Sequence, residues 1–153
     1  MRATLAWQAR SSLRSLGLRL DRARLRRAAE AVMAAEGCDA GAELSVAMGD
    51  DEWIRRLNRR YKGRDAATDV LAFPQGVSPA GTSRLLGDVA ISVETAARQA
   101  RERGHEVMAE LALLVTHGIL HLTQWSDETP RQRREMMARA RDLLKRADPG
   151  LLA

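Results

Sequence analysis

The stretch His105-Glu106-Val107-Met108-Ala109-Glu110-Leu111-Ala112-Leu113-Leu114-Val115-Thr116-His117-Gly118-Ile119-Leu120-His121-Leu122-Thr123 decides how this chain is read. Val107, Met108, Leu111, Leu114, Val115, Ile119 and Leu122 recur at helical spacing. The second half has almost no polar face, and a helix that is apolar nearly all round is buried. The spacing therefore predicts a central, buried helix over residues 105–123. His117 and His121 stand at i and i+4 within it, on one face and one turn apart.

The flanking segments predict a small sheet and further helices. Ala3–Trp7 reads as a short strand. Asp21 suits the N-cap of a helix carrying Leu25, Ala28, Ala29, Val32 and Met33, which Gly37 would end. Glu43–Met48 alternates polar and apolar, as a half-buried strand does. Asp50 or Asp51 caps a short helix with Trp53, Ile54 and Leu57, and Asn58–Asp65 reads as a basic, polar loop. Thr68–Pro74 is a strand stopped by Pro74, Gln75–Arg84 a loop, and Leu85–Ser92 another strand. Val93–Arg103 is helical up to Gly104. A last helix starts near Pro130, a favoured first-turn residue, and carries Met136, Met137, Leu143 and Leu144. The class is α+β: a mixed sheet of about four strands with about five helices, in one domain over residues 1–153.

Composition sets wide limits. The chain has 153 residues, 45% hydrophobic and 29% charged, as an ordinary globular domain has. Aromatics are 3%, so Leu, Val, Ala, Ile and Met must build the core. No apolar run reaches the ~20 residues of a membrane span. There are 25 Lys and Arg against 20 acids, a net +5 that favours an acidic partner such as nucleic acid. The lone Cys38 forms no internal disulfide and no Cys-rich metal site, and a cytoplasmic setting is expected. Residues 1–27 are rich in Arg and poor in acids, as transit peptides can be, but the strand at Ala3–Trp7 favours mature structure.

The chemistry is expected at the histidines. Zinc takes nitrogen and oxygen ligands, and a catalytic site keeps a fourth position open. Asp127 lies ten residues beyond His117, too far along a continuous helix to share a site. A turn after Thr123 would bring it back; on spacing, Asp127, Glu128 and water compete as third ligand. Two structural histidines in an apolar helix are the competing reading. Two of the three histidines in the chain standing at metal spacing favour the metal. The position after His117 is Gly118, where zinc proteases carry a general-base Glu, which argues against an ordinary metalloprotease. Gly118 lets another segment or a substrate approach the helix closely.

The run His117-Gly118-Ile119-Leu120-His121-Leu122 resembles the metal motif of the YbeY family of bacterial endoribonucleases. Tyr61-Lys62-Gly63-Arg64-Asp65 with Thr68-Asp69-Val70-Leu71-Ala72-Phe73-Pro74 resembles a second family signature. Leu85-Leu86-Gly87-Asp88-Val89-Ala90-Ile91-Ser92 resembles a third, and Glu135-Met136 falls in step. The resemblance implies one zinc on three ligands, cleavage of single-stranded RNA, processing of small-subunit ribosomal RNA near its 3′ end, and a part in ribosome quality control.

Three positions depart from the family pattern. Gln124-Trp125-Ser126-Asp127 stands where the family has Gly-Tyr-Asp-His, so Asp127 replaces the third histidine. A carboxylate is a legitimate zinc ligand and adds a negative charge, which makes the zinc's water less acidic. Gln124 replaces a glycine suited to a helix end. Lys62 stands where the family usually has Arg; it keeps the charge but loses the bidentate grip on phosphate. The resemblance implies a catalytic part for Lys62, with Arg59 and Arg64 beside it on the RNA backbone. Asp69 and Asp88 are expected to make structural hydrogen bonds. Two other readings stay open: a ribosome- or RNA-binding module with a structural metal, and a metal-dependent hydrolase of another substrate.

Overall fold

Leu44, Val46 and Met48 are all but fully buried, so the alternation in their segment becomes a strand, β2 (Glu43–Gly49), with one face in the core. The computed structural model describes residues 1–7, 19–75, 85–123 and 125–152. β2 pairs in parallel with β1 (Arg2–Trp7) on one side and with β4 (Leu85–Ser92) on the other. β3 (Val70–Pro74) joins β4 antiparallel, giving the order β1-β2-β4-β3. The sheet is mixed and four-stranded, as expected. Most of the expected loop at Gln75–Arg84, the Gln124 departure and residues 8–18 of the Arg-rich start lie outside the described residues.

Five helices accompany the sheet among the described residues: α1 (Arg22–Ala35), α2 (Asp51–Lys62), α3 (Val93–Arg103), α4 (Val107–Leu122) and α5 (Pro130–Ala147). Their starts follow the sequence. The Asp21 carboxylate accepts from Arg24 N at 3.0 Å, and the Asp50 carboxylate from Trp53 N at 2.8 Å. Thr129 and Gln132 form a reciprocal capping box in front of Pro130. α4 begins at Val107 rather than His105. His105 instead meets the fully buried Glu110 carboxylate, which Arg103 also reaches at 2.8 Å.

One expectation is corrected. Asn58–Asp65 is not all loop: α2 runs on to Lys62 and ends at Gly63 in the left-handed conformation (φ 71°). Asn58 is buried one turn beyond Ile54, and its side-chain amide donates to Ala66 O at 2.9 Å. Arg59, Arg60 and Lys62 occupy the last turn, where cations complement the helix dipole.

The helices divide between the two faces of the sheet. α1, α4 and α5 pack with Val89 and Ile91 in the main core. Leu71, Phe73 and Ala90 point to the other face, where Ile54, Trp53 and Leu57 of α2 cover them. Each large side chain fully buried in this way stabilises the fold by about 1.5–3 kcal/mol. Gly118 shows how tightly α4 sits: a β-carbon there would lie 2.7 Å from both methyls of Val89. The close approach expected at Gly118 is thus made by the sheet. Among the described residues no helix is long and apolar enough to cross a membrane.

Candidate metal centre

His117 and His121 form the partly open stripe of a helix otherwise buried around them. Their rings meet edge to face, centroids 4.8 Å apart, with Nε2 facing Nε2 at 3.1 Å. α4 stops at Thr123, whose hydroxyl donates to Ile119 O at 3.0 Å and to Leu120 O at 3.1 Å. The chain then turns back, as Trp125 N donates to Leu120 O. This return places Asp127 Oδ2 3.3 Å from His121 Nε2 and 3.9 Å from His117 Nε2.

The returning segment is held at several points. The Trp125 indole N–H donates to Glu36 Oε2 at 3.1 Å, and Arg139 of α5 pairs with the same carboxylate. Arg133 donates to the Asp127 carbonyl at 3.2 Å. Trp125, Glu36 and Arg133 thus position a donor that lies between two and ninety-one residues away in sequence. Sequence reading did not single them out, because only the fold brings α1 and α5 to this turn.

The three donor atoms fit one small divalent ion. Ligand atoms about 2.0–2.1 Å from a tetrahedral zinc lie about 3.3–3.4 Å from each other. The separations here are 3.1, 3.3 and 3.9 Å. The donor set, two imidazoles and one carboxylate, is zinc-type chemistry. Of the alternatives for a third protein donor, Asp127 rather than Glu128 stands in the group. The side chains are 20%, 29% and 38% exposed for His117, His121 and Asp127, so the cluster opens toward solvent. Burial pushes the His117 pKa down, with the neighbouring His121 adding to it; Asp69 and Asp127 pull the other way. The net effect favours the neutral ring whose lone pair a metal needs.

Lys62, Arg59 and Arg64 are not part of this cluster. All three are exposed at the end of α2 and in the turn after it, on the α2 side of the sheet. The Lys62 ammonium lies 5.2 Å from the Phe73 ring centroid. Arg59 and Arg64 have no ion-pair partner among the described residues, whereas Arg55 pairs with Asp65 at 2.8 Å. Asp69 accepts from Val70 N at 2.8 Å and Asp88 from Gln75 at 2.7 Å, the hydrogen bonding expected of both.

Residues 12–148 match the family described as Endoribonuclease YbeY. A protein of that name from Myxococcus xanthus is 49% identical over 106 residues, which are 68% of this chain and 36% of that protein. One from Moorella thermoacetica is 44% identical, covering 78% of this chain and 82% of its own length. The chain therefore spans little more than a third of the first relative and most of the second. A solution structure of a Thermotoga maritima protein shares the fold, with TM-score 0.61 and 22% identity over 95% of this chain and 88% of that one.

Proposed function

Because the chain belongs to the YbeY endoribonuclease family, we propose that it is a metal-dependent endoribonuclease working at His117, His121 and Asp127. The observation that carries this reading is the convergence of three metal donors from α4 and the turn after it, with one side open. When bound, zinc would supply Lewis acidity toward a phosphodiester and a water acidified to near neutral pH. The protein's own part is to hold the donors in place. The seat of Gly118 on Val89 fixes the two imidazoles, and Trp125 and Arg133 hold the turn that carries Asp127.

The phosphates are assigned to the basic end of α2. Lys62 is the proposed catalytic contact, with Arg59 and Arg64 binding the RNA backbone as exposed cations without ion-pair partners among the described residues. The family resemblance supports single-stranded ribosomal RNA of the small subunit as substrate, and one zinc per chain. The rival, a binding module with a structural metal, predicts a closed four-ligand site. The cluster of three partly exposed donors argues for catalysis instead.

The test is purified protein on single-stranded RNA, with and without chelator, beside a His117→Ala/His121→Ala control. Cleavage that stops with either treatment supports the reading. Cleavage indifferent to both identifies a contaminating nuclease and removes it.

A further inference from the structure

Tyr61 is the one large hydrophobic side chain exposed among the described residues, at 57%. It is nonetheless held in place. Its ring stands edge-on to Phe73, centroids 5.5 Å apart at 70°. The Arg60 guanidinium lies 5.3 Å from its centroid. The small cluster of Ile54, Leu71 and Ala90 is already closed by Trp53, Leu57 and Phe73, so packing gives Tyr61 no role that requires its ring.

The surroundings indicate what the ring is for. Arg55, Arg56, Arg59, Arg60, Lys62 and Arg64 crowd ten positions with no acid among them. Of these only Arg55 is engaged in an ion pair among the described residues. An aromatic ring in a field of unneutralised cations matches single-stranded nucleic acid: a base stacks on the ring, and cations take the phosphates on either side. An acidic protein surface would use the charges but leave the ring without a planar partner.

The position is also suitable. Tyr61 rests on Phe73, on one face of the edge strand β3. On the other face, α4, the helix that carries the histidines, packs against β3. The stacking ring and the helix that carries the metal donors thus both border the same edge strand.

We propose that Tyr61 is a base-stacking platform that seats single-stranded RNA beside the metal centre. The proposal rests on the endoribonuclease reading for its substrate, but it is tested without cleavage. The full chain is kept in chelator, and its binding to a fluorescent single-stranded RNA and to the same RNA annealed as a duplex is measured across a salt series. Tyr61→Ala is expected to weaken single-strand binding about tenfold or more and to leave the salt slope and duplex binding unchanged. Tyr61→Phe, which keeps the ring, should stay within about twofold of the parent. Tyr61→Leu keeps bulk without a π face and should behave like Tyr61→Ala, which covers the case in which the alanine variant folds poorly.

Unchanged single-strand binding in Tyr61→Ala or Tyr61→Leu overturns the proposal. So does an equal loss on duplex, or no binding of RNA by the parent protein. Tyr61-dependent binding by a protein that never cleaves RNA would support the platform while removing the endoribonuclease reading. Chelator-sensitive cleavage with Tyr61-independent binding would do the reverse.

Discussion

Gly118 lies against Val89 so closely that a β-carbon would stand 2.7 Å from both of its methyl groups. The residue that follows the first of the two candidate metal histidines is therefore also the contact that seats α4 on β4. Alanine is about 1 kcal/mol better than glycine inside a helix, whereas overpacking costs about 1–3 kcal/mol. Val89 is β-branched and cannot swing aside, so overpacking wins. Gly118→Ala should lower stability by up to about 2 kcal/mol and weaken metal binding. Adding Val89→Ala should recover part of both. Thermal unfolding and zinc titration of the two variants check this, and a fully stable Gly118→Ala would show that the seat is looser than described.

Trp125 and Glu36 lie 89 residues apart, and their 3.1 Å hydrogen bond ties the turn that carries Asp127 to α1. Trp125→Phe keeps an aromatic ring and removes the N–H. Zinc affinity should fall about tenfold, as when an outer hydrogen bond to a metal site is lost. Competition against a chelating dye reads it, and unchanged affinity would place the support for Asp127 elsewhere, with Arg133.

Lys62 is exposed, so its loss should not disturb the fold. Lys62→Ala should slow RNA cleavage and lower the salt slope of RNA binding by about 1, as loss of one phosphate contact does. Lys62→Arg should match or exceed the parent, since a guanidinium can grip phosphate with two hydrogen bonds. Full-rate cleavage by Lys62→Ala would remove the residue from the reaction.

Much of this could be read from the sequence because it is local. The alternation at Leu44, Val46 and Met48, the caps at Asp21 and Asp50, and the i, i+4 spacing of the histidines each depend on near neighbours. What departs from the local pattern depends on distant ones. Asn58–Lys62 looks like loop because it is polar, yet it is helical: Asn58 is buried and bonds Ala66, and the basic run occupies the favourable end of the helix dipole. The parallel pairing of β1 with β2 and of β2 with β4, and the arrival of Arg133 and Glu36 at the turn that carries Asp127, have no local signature. The exposure of Tyr61 likewise depends on the fold and has no local signature.

Asp51 joins the start of α2 to the start of α3. Its carboxylate accepts from Ser92 Oγ and Thr95 Oγ1, both at 2.6 Å, and pairs with Arg98 at 3.0 Å. Burial pushes its pKa up, but the hydrogen bonds from Ser92, Thr95 and Arg98 outweigh that and leave it below the usual Asp value. A depressed folded-state pKa adds stability above the unfolded value of about 3.9, and that stability is lost as pH falls through the folded value. Asp51→Asn should therefore be less stable than the parent at pH 7 by about 1–3 kcal/mol, with the gap closing below about pH 4. Urea unfolding across pH measures the gap; a pH-independent gap would contradict the assignment.

The most direct test of the account is a zinc titration by calorimetry, comparing the parent chain with Asp127→Ala. The account predicts one zinc per parent chain and affinity weakened by at least about tenfold in the variant, because a donor 3.3 Å from His121 Nε2 is gone. Equal zinc affinity in the two proteins would contradict it, and would mean that the histidines bind metal without the carboxylate that stands beside them.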